Sequence, residues 1–232
     1  MSDYVGSELS LFAAAETWRR YWSATIRAYL GTDVLEVGAG LGSTVRELLD
    51  SDMSWLAVEP DVALADQIRG WTADQDIANA AVLTGTLADV PTESTYDSIL
   101  YIDVLEHIDE DSLEVRRAFD HLRPGGRLII LVPAHQFLYS PFDASIGHFR
   151  RYNKSSLTRL QPPHSMQERL IYLDSVGLLA SLTNKLLLRS AMPTAGQIRL
   201  WDRVLVRGSK VLDPLLAHSL GKSLLVVWRR PL

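Results

Sequence analysis

The 232-residue chain contains no cysteine, which excludes disulfides, thiolate metal sites and cysteine nucleophiles. It also lacks any apolar run of roughly 18 residues or more. Asp174, Asn184 and Lys185 interrupt the best candidate stretch, so no membrane-spanning helix is expected. The opening "MSDYVGSELSLF" has neither the basic start nor the long apolar core of a secretory signal, and the expected location is cytoplasmic. No internal repeat, low-complexity tract or Pro/Gly-rich linker interrupts the chain. A hydrophobic content of 47% against 22% charged residues then predicts a soluble globular domain large enough to bury its own core.

Charge is unevenly placed. From Ala144 onward there are 14 Lys+Arg against 4 Asp+Glu, and before it 9 against 24, within a net charge of −5. The acidic first part argues against a nucleic-acid partner, because a phosphate-tracking surface needs the opposite sign. The basic last part suits an anionic acceptor, an acidic carrier or a membrane surface.

Helix and strand patterns alternate along the first two thirds. "LFAAAETWRRYWSATIRAYLG" predicts an N-terminal helix stopped by Gly31. Its aromatics either pack on the body or close over a cleft, which makes Tyr21 a candidate acceptor contact. "DVLEVGAG", "SWLAVEP", "AAVLTG", "YDSILYI" and "GRLIILVPA" read as five apolar strands separated by helices, with "RPGG" as a turn before the fifth. Uniformly apolar strands alternating with helices predict a parallel sheet covered on both faces. "QERLIYL" and "SLLVVWR" are two more strand candidates, and the long helical stretch between them predicts a cap beside the sheet.

Glu36, Gly38, Gly40 and Gly42 form an E-x-G-x-G-x-G turn after the first strand. Glycine allows a sharp turn and close approach of backbone to ligand, and the next helix offers free N–H groups. Dinucleotide and S-adenosylmethionine sites both use such turns, but the dinucleotide fingerprint requires glycine where Ser43 stands. Glu59, ending the second strand, suits a ribose diol in either case.

Together, "VLEVGAGLG", "AVEPD", "YDSILYIDVLEHIDED" and "HLRPGGRLIILVPA" resemble the class I S-adenosylmethionine-dependent methyltransferases over about Asp33 to Ala134. The resemblance implies an α/β, Rossmann-like seven-stranded sheet with its last strand antiparallel. It implies S-adenosyl-L-methionine as cofactor and S-adenosyl-L-homocysteine as product. Glu36, Gly38, Gly40 and Gly42 would bind the cofactor, with Gly38 and Gly40 against its methionine part and Asp103 near the methionine end; Glu59 would take the ribose, and Pro60, Thr86 and Leu87 the adenine. Thr86 stands where many relatives carry an adenine-binding aspartate. "FLYSPFDASIGHFRRY" resembles a bacterial subgroup associated with natural-product or polysaccharide pathways.

Methyl transfer from a sulfonium is an in-line displacement that needs an aligned nucleophile and, for acceptors of high pKa, a base. Ligands of open α/β sheets lie beyond the carboxyl ends of the strands. That rule selects His148, His135 and Tyr139 as candidate catalytic residues. His107, Arg150, Arg151 and Tyr152 join Tyr21 as candidate acceptor contacts, with an arginine gripping a carboxylate or phosphate. The competing reading is internal: Asp143 pairs with an arginine and His148 serves its own loop. His121, before "LRPGG", is expected to be solvated. In "GQIRLWDRVLVRGSKVLDPLL", Arg199, Arg203 and Arg207 form one stripe, and Ile198, Trp201, Leu205 and Leu212 lie on another face. This predicts a cap helix, a dimer face or a peripheral membrane contact.

The expected organisation is one domain: a helical lid over 1–31, a cofactor-binding core over 32–134, an acceptor-side segment over 135–166, and the last two strands over 167–232 with a cap at about 174–221. The expected activity is metal-free methyl transfer to a small or medium-sized, anionic or hydrophobic acceptor by a monomer or homodimer. A lipid-linked or saccharide acceptor is one alternative. A non-catalytic cofactor-binding domain is another, and a nicotinamide oxidoreductase is more distant.

Overall fold

The computed structural model describes Leu9, residues 12–183 and residues 194–232. Most of the predicted N-terminal lead-in and the stretch 184–193, with Asn184 and Lys185, lie outside the described residues.

Seven strands form one sheet: β1 (Asp33–Val37), β2 (Ser54–Glu59), β3 (Ala80–Thr84), β4 (Tyr96–Ile102), β5 (Leu122–Pro133), β6 (Met166–Leu173) and β7 (Ser223–Arg229). Their order is β3-β2-β1-β4-β5-β7-β6. The first five pair in parallel, and β7 runs antiparallel to both β5 and β6, as predicted. The helices are α1 (Glu16–Ile26), α2 (Ser43–Leu48), α3 (Val62–Asp74), α4 (Asp111–Asp120), α5 (Pro141–Ser145), α6 (Lys154–Thr158), α7 (Ser175–Thr183), α8 (Ala195–Leu200) and α9 (Val206–Leu215).

Strand apolarity on both faces produces two cores. One face buries Leu35, Ile99, Tyr101, Val115, Phe119 and Trp228; the other buries Trp18, Trp22, Ile26, Trp55, Ile68 and Trp201. Removing such side chains from water is the main stabilising term. "RPGG" is less a connection than an irregularity inside β5. Pairing jumps from Tyr96↔Leu122 to Ser98↔Arg127, and Gly125 takes the left-handed φ of +81° that this bulge requires. His121 is buried rather than solvated, with Nδ1 at 2.8 Å from the Ser94 carbonyl.

The cap joins β6 to β7 and is anchored by three buried aspartates. Asp213 accepts from the Tyr21 hydroxyl (2.7 Å) and from the backbone N–H groups of Asp174 (2.7 Å) and Ser175 (3.0 Å). Asp174 accepts from Trp201 Nε1, Ser209 Oγ and Gly177 N. Asp202 accepts from the N–H groups of Thr17 and Trp18, capping the start of α1 from 184 residues away.

Between α8 and α9 the helix widens into a π turn over Trp201–Leu205. That turn shifts the helical phase. Ile198, Trp201, Asp202, Val206, Ser209 and Asp213 face inward, whereas Leu212, expected on the packed face, is 42% exposed. Arg199, Arg203 and Arg207 are exposed. Among the described residues no helix is long and apolar enough to cross a membrane.

Replacing Asp213 with alanine would strand three buried donors. Asp213→Ala is expected to destabilise the fold by about 3 kcal/mol or more, and Tyr21→Phe by about 1.5–3 kcal/mol, both read from urea denaturation.

Candidate functional site

The sheet order reverses between β1 and β4, the switch point at which open α/β sheets form their ligand crevice, beyond the strands' carboxyl ends. Its floor is the glycine turn. Gly38, Gly40 and Gly42 all have left-handed φ, at +74°, +55° and +71°. A Cβ on Gly38 would meet Val104 Cγ2 at 2.6 Å, so the turn also seats the loop after β4. Glu59 accepts from Gly40 N at 2.7 Å and Asp61 N at 3.0 Å, which ties the carboxylate at the end of β2 to the turn. Burial pushes its carboxyl up, against the pull of those two N–H groups. Pro60 is exposed beside it.

Two of the predicted cofactor residues turn elsewhere. Glu36 is 2% exposed and accepts from Trp55 Nε1 at 3.1 Å, so it braces β1 and β2 instead of lining the crevice. Thr86 donates its hydroxyl and its N–H to Asp89 Oδ2 at 3.0 and 2.8 Å, capping the turn after β3. The Leu87 side chain is in the core. Asp89, absent from the predicted set, is the exposed carboxylate that holds Thr86. The T-x-x-D spacing of a capping box was the available signal.

Asp103 follows β4 with the left-handed φ of +53° that non-glycine residues rarely adopt. It is open to the crevice yet walled by protein. The walls push its carboxyl up to about 6, opposed by His148, Lys222 and Arg151.

Beside it lies the segment that carries most of the predicted catalytic and acceptor residues. Gly147, with φ of +85°, turns His148 inward. His148 Nδ1 is 3.0 Å from Asp143 Oδ1, and its Nε2 is 3.8 Å from Glu106 Oε1. Asp143 also accepts from Arg151 Nε and Nη2 at 2.8 and 3.0 Å. Burial would raise the Asp143 carboxyl, but His148 and Arg151 hold it well below the usual range. In the neutral imidazole a bond to an ionised Asp143 favours the proton on Nδ1 and leaves Nε2 as the acceptor. His107 meets His148 edge-on, with ring centroids 4.5 Å apart. Burial, then His148, brings its imidazole down to about 4.

The remaining members of this set are spent internally. Arg150 clamps the loop after β4 through the Asp109 carbonyl, the Asp109 carboxylate and Asp111. Arg151 stays on Asp143, so neither arginine is free to grip an acceptor anion. Tyr152 is 2% exposed and donates to Asp111 Oδ2 at 2.9 Å. Tyr139 donates to the His148 carbonyl at 2.6 Å. His135 stacks on Tyr172, with Nε2 at 2.9 Å from the Gly221 carbonyl. Tyr21 belongs to the cap joint described above. The structure thus brings together His148, His107 and Asp103, and adds Glu106, Asp143 and Lys222.

Lys222 was not predicted. Because β7 is antiparallel, its start reaches the crevice edge, where Ala134 N donates to the Lys222 carbonyl. Its ammonium lies 4.2 Å above the Trp201 ring. Burial lowers its pKa, against the pull of Asp174.

Residues 35–128 match the family model of a methyltransferase domain. A probable S-adenosylmethionine-dependent methyltransferase of Mycolicibacterium smegmatis is 29% identical over 134 residues, 56% of this chain and 50% of that protein. The matched chain thus spans about half the length of this curated relative. Among solved structures, Haemonchus contortus phosphoethanolamine N-methyltransferase 2, in complex with S-adenosyl-L-methionine, superposes with a TM-score of 0.69 at 14% identity, covering 99% of this chain and 59% of that one. The [4+2]-cyclase SpnF superposes with a TM-score of 0.65 at 14% identity, covering 92% and 81%.

Glu36 gives a pH signature for the joint between β1 and β2. Burial raises its carboxyl from 4.5 to about 7, against hydrogen bonds from Thr44 and Trp55. The folded state therefore holds this proton more tightly than the unfolded chain. Stability declines as pH rises from about 4.5 to about 7, and the penalty is complete above that, on the order of 3 kcal/mol. Glu36→Gln is expected to remove this slope, measured as the difference between urea midpoints at pH 5 and pH 8 for both proteins.

Proposed function

We propose that this chain, whose residues 35–128 match a methyltransferase domain, is a class I S-adenosylmethionine-dependent methyltransferase that transfers a methyl group from S-adenosyl-L-methionine to a small or medium-sized acceptor. The observation that carries this reading is the glycine turn tied to Glu59 at the sheet's switch point. Its left-handed glycines give the backbone an uncluttered approach; a Cβ on Gly40 would find nothing nearer than Leu9 at 3.9 Å. The Glu59 carboxylate beside it suits a ribose diol. Gly38 and Gly40 would hold the methionine part, with Asp103 near its amino end and Pro60 and the Leu87 backbone beside the adenine. When bound, the cofactor supplies a methyl group on a sulfonium whose departure leaves a neutral thioether.

The chain's own contribution lies on the acceptor side. The reacting atom must shed a proton, and His148, aimed by Asp143 and Gly147, promotes that loss. Asp143 and Arg151 position His148 and do not touch the acceptor. An anionic group on the acceptor meets Lys222, which has no carboxylate partner within ion-pair distance among the described residues.

A lipid-linked acceptor is the second reading, supported by one observation. Leu200, Val204, Val211 and Leu215 are 56–77% exposed beside Arg199, Arg203 and Arg207. Such a surface suits an anionic bilayer. Co-sedimentation with phosphatidylglycerol vesicles at low salt is expected under this reading, and absence of binding removes it.

Titration calorimetry with S-adenosylhomocysteine tests the cofactor assignment. Glu59→Gln is expected to weaken binding by about tenfold or more. In a radiolabelled-methyl transfer screen over hydroxyl, amine and carboxylate acceptors, His148→Ala is expected to keep its S-adenosylhomocysteine affinity and lose about 100-fold or more in turnover. Unchanged turnover would remove His148 from the reaction, and binding without transfer to any acceptor would favour a non-catalytic domain.

A further inference from the structure

Glu106 is fully buried, and among the described residues neither of its carboxylate oxygens has a hydrogen-bond partner. Buried polar atoms in folded proteins seldom stay without one unless a further ligand completes them. The nearest groups are imidazoles. His148 Nε2 lies 3.8 Å from Glu106 Oε1. A ring nitrogen of His107, a ring nitrogen of His148 and a carboxylate oxygen of Glu106 all fall within 4.8 Å of one another.

The surroundings prepare these groups as ligands. Asp143, fixed by two bonds from Arg151, holds Nδ1 of His148. That contact fixes the ring's orientation, with Nε2 on the side of Glu106. A carboxylate behind a histidine in this way is the recurrent outer layer of protein metal sites. Gly147 passes close to the second imidazole, since a Cβ there would stand in ordinary contact, 3.7 Å from His107 Nδ1. A first-row cation takes its ligands at about 2.0–2.2 Å, so donors about 3–4 Å apart surround it. Small side-chain rotations bring the three to that spacing. Two imidazoles and one carboxylate form a ligand set that leaves positions open for a further ligand.

We propose that Glu106, His107 and His148 hold a divalent transition-metal cation of the Zn2+, Fe2+ or Co2+ class at the acceptor end of the crevice. This deepens the reading above, resting on the acceptor lying beside His148, and it departs from the metal-free displacement expected from sequence. It also narrows the acceptor. An open coordination position facing the crevice takes an oxygen ligand, and a cation raises the acidity of a hydroxyl that reaches it. The O–H proton passes to solvent water, the oxygen lone pair forms the new O–C bond, and the C–S bond breaks with its electron pair remaining on sulfur. His148 thus promotes proton loss through the cation it holds.

The test uses tag-free full-length protein freed of metal and then titrated with Co2+, followed by visible absorption and by metal analysis after gel filtration. One cation per chain is expected, with micromolar or tighter affinity. Asp143→Asn is expected to weaken it by about 10-fold or more, and Glu106→Gln and His148→Ala more strongly still. S-adenosylhomocysteine binding, measured in parallel, reports the fold and the cofactor end. Wild type that binds S-adenosylhomocysteine without a stoichiometric cation overturns the metal site and leaves the methyltransferase reading standing. Cation binding that survives both Glu106→Gln and His148→Ala overturns it as well. Loss of S-adenosylhomocysteine binding by wild type would instead count against the cofactor assignment alone. Should the variants misfold, electron paramagnetic resonance of the Cu2+-loaded wild type decides: coupling to two imidazole nitrogens is expected, and fewer than two overturns the proposal.

Discussion

Buried aspartates hold this molecule's additions to its sheet. Asp213 sits at zero exposure and gathers a tyrosine hydroxyl from α1 and two backbone N–H groups from the end of β6. Asp174 gathers an indole, a hydroxyl and an N–H from the insert. A carboxylate in such a setting is tolerated only when its lone pairs are filled by fixed donors. Three pieces far apart in sequence must therefore arrive in one geometry together. Apolar contacts such as Trp18 against Trp201 press the first helix and the insert onto the sheet, and the directional bonds to the aspartates fix how they lie across its face.

The acceptor side repeats this device and then leaves it unfinished. Asp143 is satisfied by Ser140, His148 and Arg151, and the loop after β4 is clamped by Arg150 and Tyr152 through Asp111. Amid this saturation, Glu106 has no hydrogen-bond donor among the described residues. Burial pushes its carboxyl well above the usual range, and the nearest recorded partner is His148 Nε2 at 3.8 Å. Its oxygens are thus left open to a further ligand in a segment whose other carboxylates are taken.

The strands and the glycine turn were legible because their signals are local. β1 to β5 are short apolar runs between turn residues, and the three glycines occupy left-handed positions that side chains avoid. The seven-stranded architecture followed from counting such runs. Partnership was harder to read. Arg150 and Arg151 are adjacent in sequence and chemically identical, yet they end on Asp109 and Asp111 in one case and on Asp143 in the other. A planar donor fork looks available to a ligand until the fold shows which carboxylate has already taken it. Glu36 misled for the same reason, since only the packing of β1 against β2 brings Trp55 to its oxygen. Leu212 was misplaced by phase: the π turn at Trp201–Leu205 adds a fraction of a turn that a regular 3.6-residue count omits. Lys222 escaped notice because its importance comes from strand direction, and no residue type encodes that.

Strand direction has a wider consequence. Since β6 runs with β5 and β7 runs against it, the insert leaves the sheet at Leu173 and returns at Ser223, both at the same rim. It is in effect an oversized hairpin loop whose two feet stand side by side. The aspartates that fix it to α1 and to the end of β6 therefore also bring the far end of the chain, with Lys222, to the rim beside the glycine turn.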